Sequence, residues 1–304
     1  MKPLFPFLLL LLGSPNFSYA QSEEVSTGDL QSDEEIRSHN ARIDSVEASY
    51  HYQTGSVPIG EGVATIELPP DFKFLDAEQS RQVLTELWGN PPSVAENVAG
   101  MILGARSGVY DDSFVLSIEY DTIGYVSDAD ASRLDYDAML QGMLKDDSLE
   151  NVQRLANGYD PLYLVGWASP PHYDKDRKAL HWAQELMRGE DSSRVLNYNI
   201  RVLGRKGVII LNAMGSMDHL DSVRTVIPAV LSMVTFNDGY RYDQFDPRTD
   251  AAAQWTVGGL IDGKVRENME KAAGILKVIA IAFGVGLLII VLVVWLIYRR
   301  KRTA

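Results

Sequence analysis

From Val278 to Tyr298 the chain carries no charged residue, and Arg299, Arg300, Lys301 and Arg302 follow at once. As a helix such a run is about 32 Å long at about 1.5 Å per residue, enough to cross a hydrocarbon core of about 30 Å. The sequence therefore predicts a transmembrane helix over residues 275–298 and a basic tail over 299–304, which the positive-inside rule holds in the cytoplasm. Everything before the span belongs on the other side of the membrane, provided that the N-terminus is exported.

The N-terminus reads as an export signal. Met1 and Lys2 form a short positive region, and Leu4 to Leu12 is an apolar run broken by Pro6. Ser18-Tyr19-Ala20 then supplies small residues at the two positions that a signal peptidase reads, so residues 1–20 are expected to be removed after Ala20. The apolar core is too short for a first membrane anchor. The expected product is a single-pass type I membrane protein, its domain exported and its C-terminus cytoplasmic.

The chain has no cysteine, which excludes disulfides, cysteine metal sites and a cysteine nucleophile. Its formal charge is −13, and four of its 28 lysines and arginines stand together in the tail. An acidic exported surface argues against nucleic acid and anionic headgroups as partners of the domain. Membrane lipid is expected as a partner through the span alone.

Residues 21–54 read as an acidic flexible leader, with one thin apolar stripe (Ile36, Ile43, Val46, Tyr50) that could form a helix. A folded α+β domain is expected over residues 55–249. Val63 to Leu68 alternates as a strand, and Phe72 to Leu75 can return as its hairpin partner. Asp76 caps a helix to Trp88, with Gln79 at its third position. Phe114 to Tyr120 is a strand with Ser117 and Glu119 on its second face. Two helices are expected at Arg133–Lys145 and Leu149–Ala156, then strands at Leu162–Ser169, Lys178–Met187, Val195–Leu203 and Val208–Ala213. A helix from Leu220 to Val234 is expected to kink or divide at Pro228. Residues 250–274 read as a juxtamembrane helix and linker. Short turns between strands imply antiparallel pairing, so the fold class is α+β, a mainly antiparallel sheet with helices packed on it, plus the C-terminal transmembrane helix.

Along these strands lie Gly124-Tyr125-Val126 with Asp128; Gly166-Trp167-Ala168-Ser169-Pro170-Pro171-His172-Tyr173-Asp174; Asn197-Tyr198-Asn199-x-Arg201-x-Leu203-Gly204-Arg205-x-Gly207-Val208; and Tyr240 through Phe245-Asp246 to Thr249-Asp250. In this order they resemble a family of bacterial membrane-anchored proteins known as a domain of unknown function, number 2167 of that series. The resemblance covers about Gly55 to Gly263. It departs near the end, where the family often has Tyr-Gly after the aspartate and this chain has Trp255-Thr256. It implies an envelope protein of the bacterial inner membrane with one periplasmic or extracytoplasmic domain and a terminal span, and it carries over no ligand, activity or catalytic residue.

Chemistry must then be sought residue by residue. His172 and Asp174 share a predicted loop and His181 lies on the next strand, so the three could form a general-base or metal site. No ligand spacing supports a metal, and a polar loop beside an ordinary strand histidine is the simpler reading. No nucleophile elbow, Ser-x-x-Lys pair or phosphate loop occurs. Asp128-Ala-Asp130-Ala-Ser132 fails the calcium-loop template, having Arg133 at its sixth position and Met139 at its twelfth, and helix capping explains the acids better. Glu119 and Asp121 share a strand face, but at this charge density such pairs arise by chance. No cofactor is expected.

The best binding candidate is a polar row. With Leu196, Tyr198, Ile200 and Val202 facing the core, Asn197, Asn199 and Arg201 share the opposite face; Trp167 and Trp182 on neighbouring strands could add a stacking surface, but core packing is the expected use of both. Amides and a guanidinium suit a carboxylate, a glycan or a partner's backbone. A solvated face or a buried network is the competing account. The leading expectation is a non-enzymatic module that binds a protein or an envelope component. Its rival is an envelope hydrolase using His172 and Asp174.

Overall fold

The computed structural model describes residues 41–264 except Asp112, Glu190 and Asp191. The expected signal peptide with Ala20, the span at 275–298 and the tail Arg299, Arg300, Lys301 and Arg302 lie outside those residues. Among the described residues no helix is long and apolar enough to cross a membrane.

The fold is α+β with antiparallel sheets. Seven strands form the main sheet in the order β3 (Phe72–Asp76), β4 (Val98–Gly104), β5 (Val115–Asp121), β9 (Val208–Ser216), β8 (Arg194–Leu203), β7 (Ala179–Arg188) and β6 (Leu162–Asp174). A smaller sheet pairs β1 (Ser56–Ile59), β2 (Ala64–Glu67) and β10 (Val234–Phe236). Residues 41–47 are helical (α1), and four further helices are α2 (Ala77–Gln82), α3 (Tyr136–Ala156), α4 (Leu220–Met233) and α5 (Val257–Asp262).

The main sheet is covered on both faces. On one, Val223, Ile227, Val230 and Met233 of α4 and the inner side of the small sheet pack on Leu196, Tyr198, Ile200, Ile209 and Leu211. Full burial of each aliphatic side chain contributes about 1.5–3 kcal/mol, so this layer is the largest source of stability. The other face carries two separate apolar clusters. At one end Val83, Leu84, Val94 and Ala95 cover Leu75, Met101, Val115 and Met214. At the other, Val257 and Ile261 of α5, with Val126 and Met139, cover Leu180, Trp182, Leu203 and Val208.

Several expectations are corrected. Phe72 to Leu75 does not return as the partner of β2. It pairs with β4 in the other sheet, and β2 pairs with β1 and β10. Pro69-Pro70 ends β2 too far from a tight turn for a hairpin to close. The two helices expected between Arg133 and Ala156 are one, α3. Helix α4 runs through Pro228 undivided, because burial of the flanking Ile227 and Val230 outweighs one lost hydrogen bond. Among the described residues of the expected juxtamembrane segment, Val257–Asp262 is helical, and Val257 and Ile261 are fully buried in the domain. The leader contributes as well, since Tyr50 and Tyr52 pack on the cluster beside α2 and Gln53 bridges to Phe74. The folded unit therefore extends past 55–249 at both ends.

Asp76 caps α2 as expected, accepting a hydrogen bond from the Gln79 amide at 3.0 Å. Gln79 does not complete a capping box. Its side chain ties down His51, accepting from that residue's amide at 2.6 Å and donating to its carbonyl at 3.2 Å.

The turn between β8 and β9 has a strict requirement. A Cβ on Gly207 would lie 2.1 Å from the Asp121 carbonyl oxygen, which belongs to the end of β5. The neighbour is backbone and cannot swing away. Gly207→Ala is expected to cost more than about 2 kcal/mol, read as a drop in the denaturant midpoint at unchanged slope.

Candidate functional site

Between the two apolar clusters the second face of the sheet is polar. Cross-strand register sets Ser117, Asn212 and Asn199 in one row over β5, β9 and β8, with Trp182 of β7 at its end. The next row runs Glu119, Ile210, Arg201, Leu180. The row on the other side places Asn197 opposite Gln184, and Gln184 opposite Trp167. Asn197, Asn199 and Arg201 do share one face, as their spacing requires. That face is not solvated, since all three are buried together with Ser117, Glu119, Gln184 and Asn212.

The row is internally connected. Arg201 donates through Nη1 to the Ile200 carbonyl at 3.0 Å and to Asn212 Oδ1 at 3.1 Å, and through Nη2 to Asn199 Oδ1 at 3.3 Å. Asn199 donates to the Asn197 carbonyl at 3.2 Å, and Asn197 donates to Gln184 Oε1 at 3.1 Å. The Arg201 guanidinium also lies 5.2 Å from the Trp182 ring, within cation–π range.

Electrostatically the centre is poorly compensated. Arg201 is 7% exposed, and among the described residues no carboxylate lies within ion-pair distance of it. Burial pulls its pKa down to about 10 against the opposing pull of Glu119 and Asp121. Glu119 stands two strands away, beyond Ile210, or about 10 Å at the backbone. Burial pushes its carboxyl up to about 7, although Arg201 draws it down. Asp121 is raised for the same reason. The Ser117 hydroxyl, in the middle row, has no hydrogen-bond partner among the described residues.

Trp167 is not part of an open stacking surface. Its indole donates to the Tyr136 carbonyl at 3.2 Å and pins the start of α3 to β6.

The histidine candidates sit on the other face. His172 is on β6 itself, not in a loop, because the strand continues through Pro170-Pro171 with register shifts that absorb the missing amides. As an edge strand, β6 tolerates those prolines. His172 pairs with His181 across the strands, their rings 5.2 Å apart. It is exposed, and its ring makes no hydrogen bond among the described residues. Asp174 is engaged elsewhere. Its carboxylate accepts from the Asp176 and Arg177 amides at 3.0 Å and from Arg177 Nη1 at 2.9 Å, closing the β6–β7 turn. Those bonds, the Arg177 amide first, hold it below the usual carboxylate range. His181 Nδ1 lies 2.9 Å from the Tyr198 hydroxyl, and burial lowers its pKa. The three residues thus do not assemble as acid, base and orienting group. No group of three or more His, Asp and Glu among the described residues is placed to hold a metal ion.

Asp128 and Asp130 work as braces. Asp130 accepts from the Val257 and Gly258 amides at 3.2 and 3.0 Å, capping α5 from far away in sequence. Asp128 accepts from Tyr173 at 2.8 Å and from Lys178 at 2.9 Å. The motifs read along the chain converge here. Tyr125 stacks on Phe245 at 3.8 Å, Arg205 forks onto Asp250 at 2.7 and 3.0 Å, and Gly124, at φ +92°, lets the chain pass against Ala251. These contacts lock the end of the sheet, and nothing in them opens to a ligand.

Sequence reasoning found three of the row's residues and missed Gln184, Asn212 and the tie to Glu119. The signal was present, since Asn212 is the single amide in the apolar run of β9 and stands level with Ser117 and Asn199.

The model of a family described as "Protein of unknown function (DUF2167)" matches residues 51–296. Among solved structures, the chain is similar to the solution structure of cyanobacterial PsbP (CyanoP) from Synechocystis sp. PCC 6803. That likeness has 10% identity and a TM-score of 0.35 over 61% of this chain and 92% of that one, which is too loose to transfer anything. No curated protein matches the chain significantly.

Proposed function

We propose that this chain, which belongs to the family of unknown function DUF2167, is a non-enzymatic binding module held at the extracytoplasmic face of the bacterial inner membrane, with Arg201 at the centre of its binding site. The observation that carries the reading is the guanidinium itself, buried and hydrogen-bonded to three neutral oxygens. A buried cation without a close anion is costly, and an incoming carboxylate would relieve that cost with charge and fork geometry together. The Ser117 hydroxyl two strands away, without a partner among the described residues, offers a second donor. The ligand class is a carboxylate-bearing envelope component or an acidic side chain of a protein partner. Since the row is closed over, binding there is coupled to opening of the layer above it.

The test is capture in cells. The full-length protein, tagged beyond Arg302, is cross-linked and purified, and what accompanies it is identified by mass spectrometry. A control keeps the span and tail alone. Ser117→Ala and Arg201→Lys should each recover less partner, the first by losing a donor and the second by losing the fork. Equal recovery by both variants would move the binding site elsewhere, and recovery by the control would take binding away from the domain.

The rival hydrolase depends on His172 and Asp174, which do not meet. His172→Ala is expected to leave both capture and thermal stability unchanged, the stability within about 0.5 kcal/mol as for other exposed positions. A large fall in either would restore a role for that histidine.

A further inference from the structure

Where the chain leaves the domain coincides with where the domain is least well covered. Five large apolar side chains stand exposed among the described residues, and four of them, Val152 and Leu155 on α3 and Tyr163 and Val165 on β6, lie on two elements that pack together. Val152 and Leu155 are 64% and 58% exposed, one helical turn apart, and so share a side of α3. The last described residue, Lys264, is ion-paired to Asp146 of the same helix at 2.5 Å. Val152 and Leu155 are then about 9 to 14 Å further along α3 from that exit point.

We propose that this α3–β6 patch rests in the lipid surface of the membrane that anchors the chain. The inference depends on the anchoring reading above and adds an orientation and a second membrane contact. Residues 265–277 leave thirteen residues between the domain and the charge-free run. Fully extended, they reach about 45 Å, which sets the greatest distance of the exit point from the bilayer and leaves the patch within its reach. An apolar face beside such a tether can enter the headgroup and acyl boundary by about 5–10 Å, and a tyrosine such as Tyr163 suits that depth.

The edge itself argues against strand addition by a second copy. β6 has three register shifts along its length, which break the regular row of backbone groups that a new strand would need. Asn151 of α3 already binds both backbone groups of Leu162, accepting at 2.6 Å and donating at 2.8 Å. Charge argues for an apolar contact, since a chain of net −13 has little attraction to anionic headgroups. The contact should therefore form in neutral lipid without salt dependence and be no stronger in anionic lipid, where salt screens the repulsion of the acidic domain.

The chain has no cysteine, so single-cysteine variants are clean probes. Val152→Cys, Leu155→Cys and Glu78→Cys, the last on α2 at the opposite edge of the sheet, would be labelled with a polarity-sensitive fluorophore. The full-length protein would be reconstituted into vesicles of phosphatidylcholine or of phosphatidylethanolamine with phosphatidylglycerol. At 152 and 155 the emission should shift to the blue and be mostly lost to brominated lipid in both vesicle types, with no change at 78. Protein that resists alkaline carbonate extraction but is quenched at 152 only by aqueous iodide would overturn the contact while leaving the anchor standing. Protein released by carbonate would overturn the anchor and the contact with it. Disulfide-linked pairs through unlabelled Val152→Cys, formed in place of lipid quenching, would give the patch to a second copy and overturn the lipid contact.

Discussion

Arg201→Leu is expected to destabilise the protein by about 3–5 kcal/mol at about pH 8, measured by denaturant unfolding of the full-length chain in detergent. Two buried side-chain oxygens, of Asn212 and Asn199, lose this donor in that variant, and the Ile200 carbonyl loses its second bond beside the sheet ladder. Each orphaned acceptor costs about 1–3 kcal/mol. The cavity left above Trp182 adds to the loss, and release of the guanidinium from its dry site offsets part of it. The decisive part is the pH dependence. Arg201 draws down the carboxyls of Glu119 and Asp121, so without it their charged forms are less favourable inside the fold. The destabilisation should shrink on going to about pH 5, where Glu119 is neutral in either protein. A loss independent of pH would mean that Arg201 acts as a hydrogen-bond donor alone, and its role as a charge centre would fall.

The row was legible in its direction but not in its setting. Alternation along Val195 to Leu203 puts Asn197, Asn199 and Arg201 on one face whatever the tertiary fold, because the period of a strand is local. Whether that face meets water depends on what packs against it. Here α5 and the turns after Ala77–Gln82 cover the two ends of the face, and these come from distant parts of the chain. The same limit explains β3. Its pattern marks a strand, but its partner β4 begins with Val98-Ala-Gly-Met, a run with no alternation because both its faces are buried. β1 and β10 are four and three residues long, too short to show a period at all. His172 was misplaced because two prolines read as a loop, and only an edge strand with shifted register accommodates them. The strands β7, β8 and β9 were placed to within a few residues because long apolar runs joined by short turns leave one arrangement.

Glu119→Gln is expected to stabilise the protein above about pH 7 by about 1–3 kcal/mol and to leave it nearly unchanged below about pH 4.5. Burial raises the Glu119 carboxyl from 4.5 to about 7 in the folded protein, so between those values the native state binds the extra proton. Stability from this group is therefore fully present below the unfolded pKa, falls as pH rises, and is gone once pH passes the folded pKa. Its full span is on the order of 3 kcal/mol, since one pKa unit is about 1.4 kcal/mol. Glutamine keeps the shape and removes the ionisation, so the variant should escape the fall. Other groups titrate in the same window. Asp121, raised by burial, adds to the fall, and His181, lowered by burial, works the other way, because below its unfolded pKa the unfolded state binds the proton. The difference between the variant and wild-type stability curves largely cancels both. It should rise from near zero at about pH 4.5 to a plateau above about pH 7. A flat difference would show that Glu119 ionises as freely as in water, and the poorly compensated centre proposed around Arg201 would lose its acidic half.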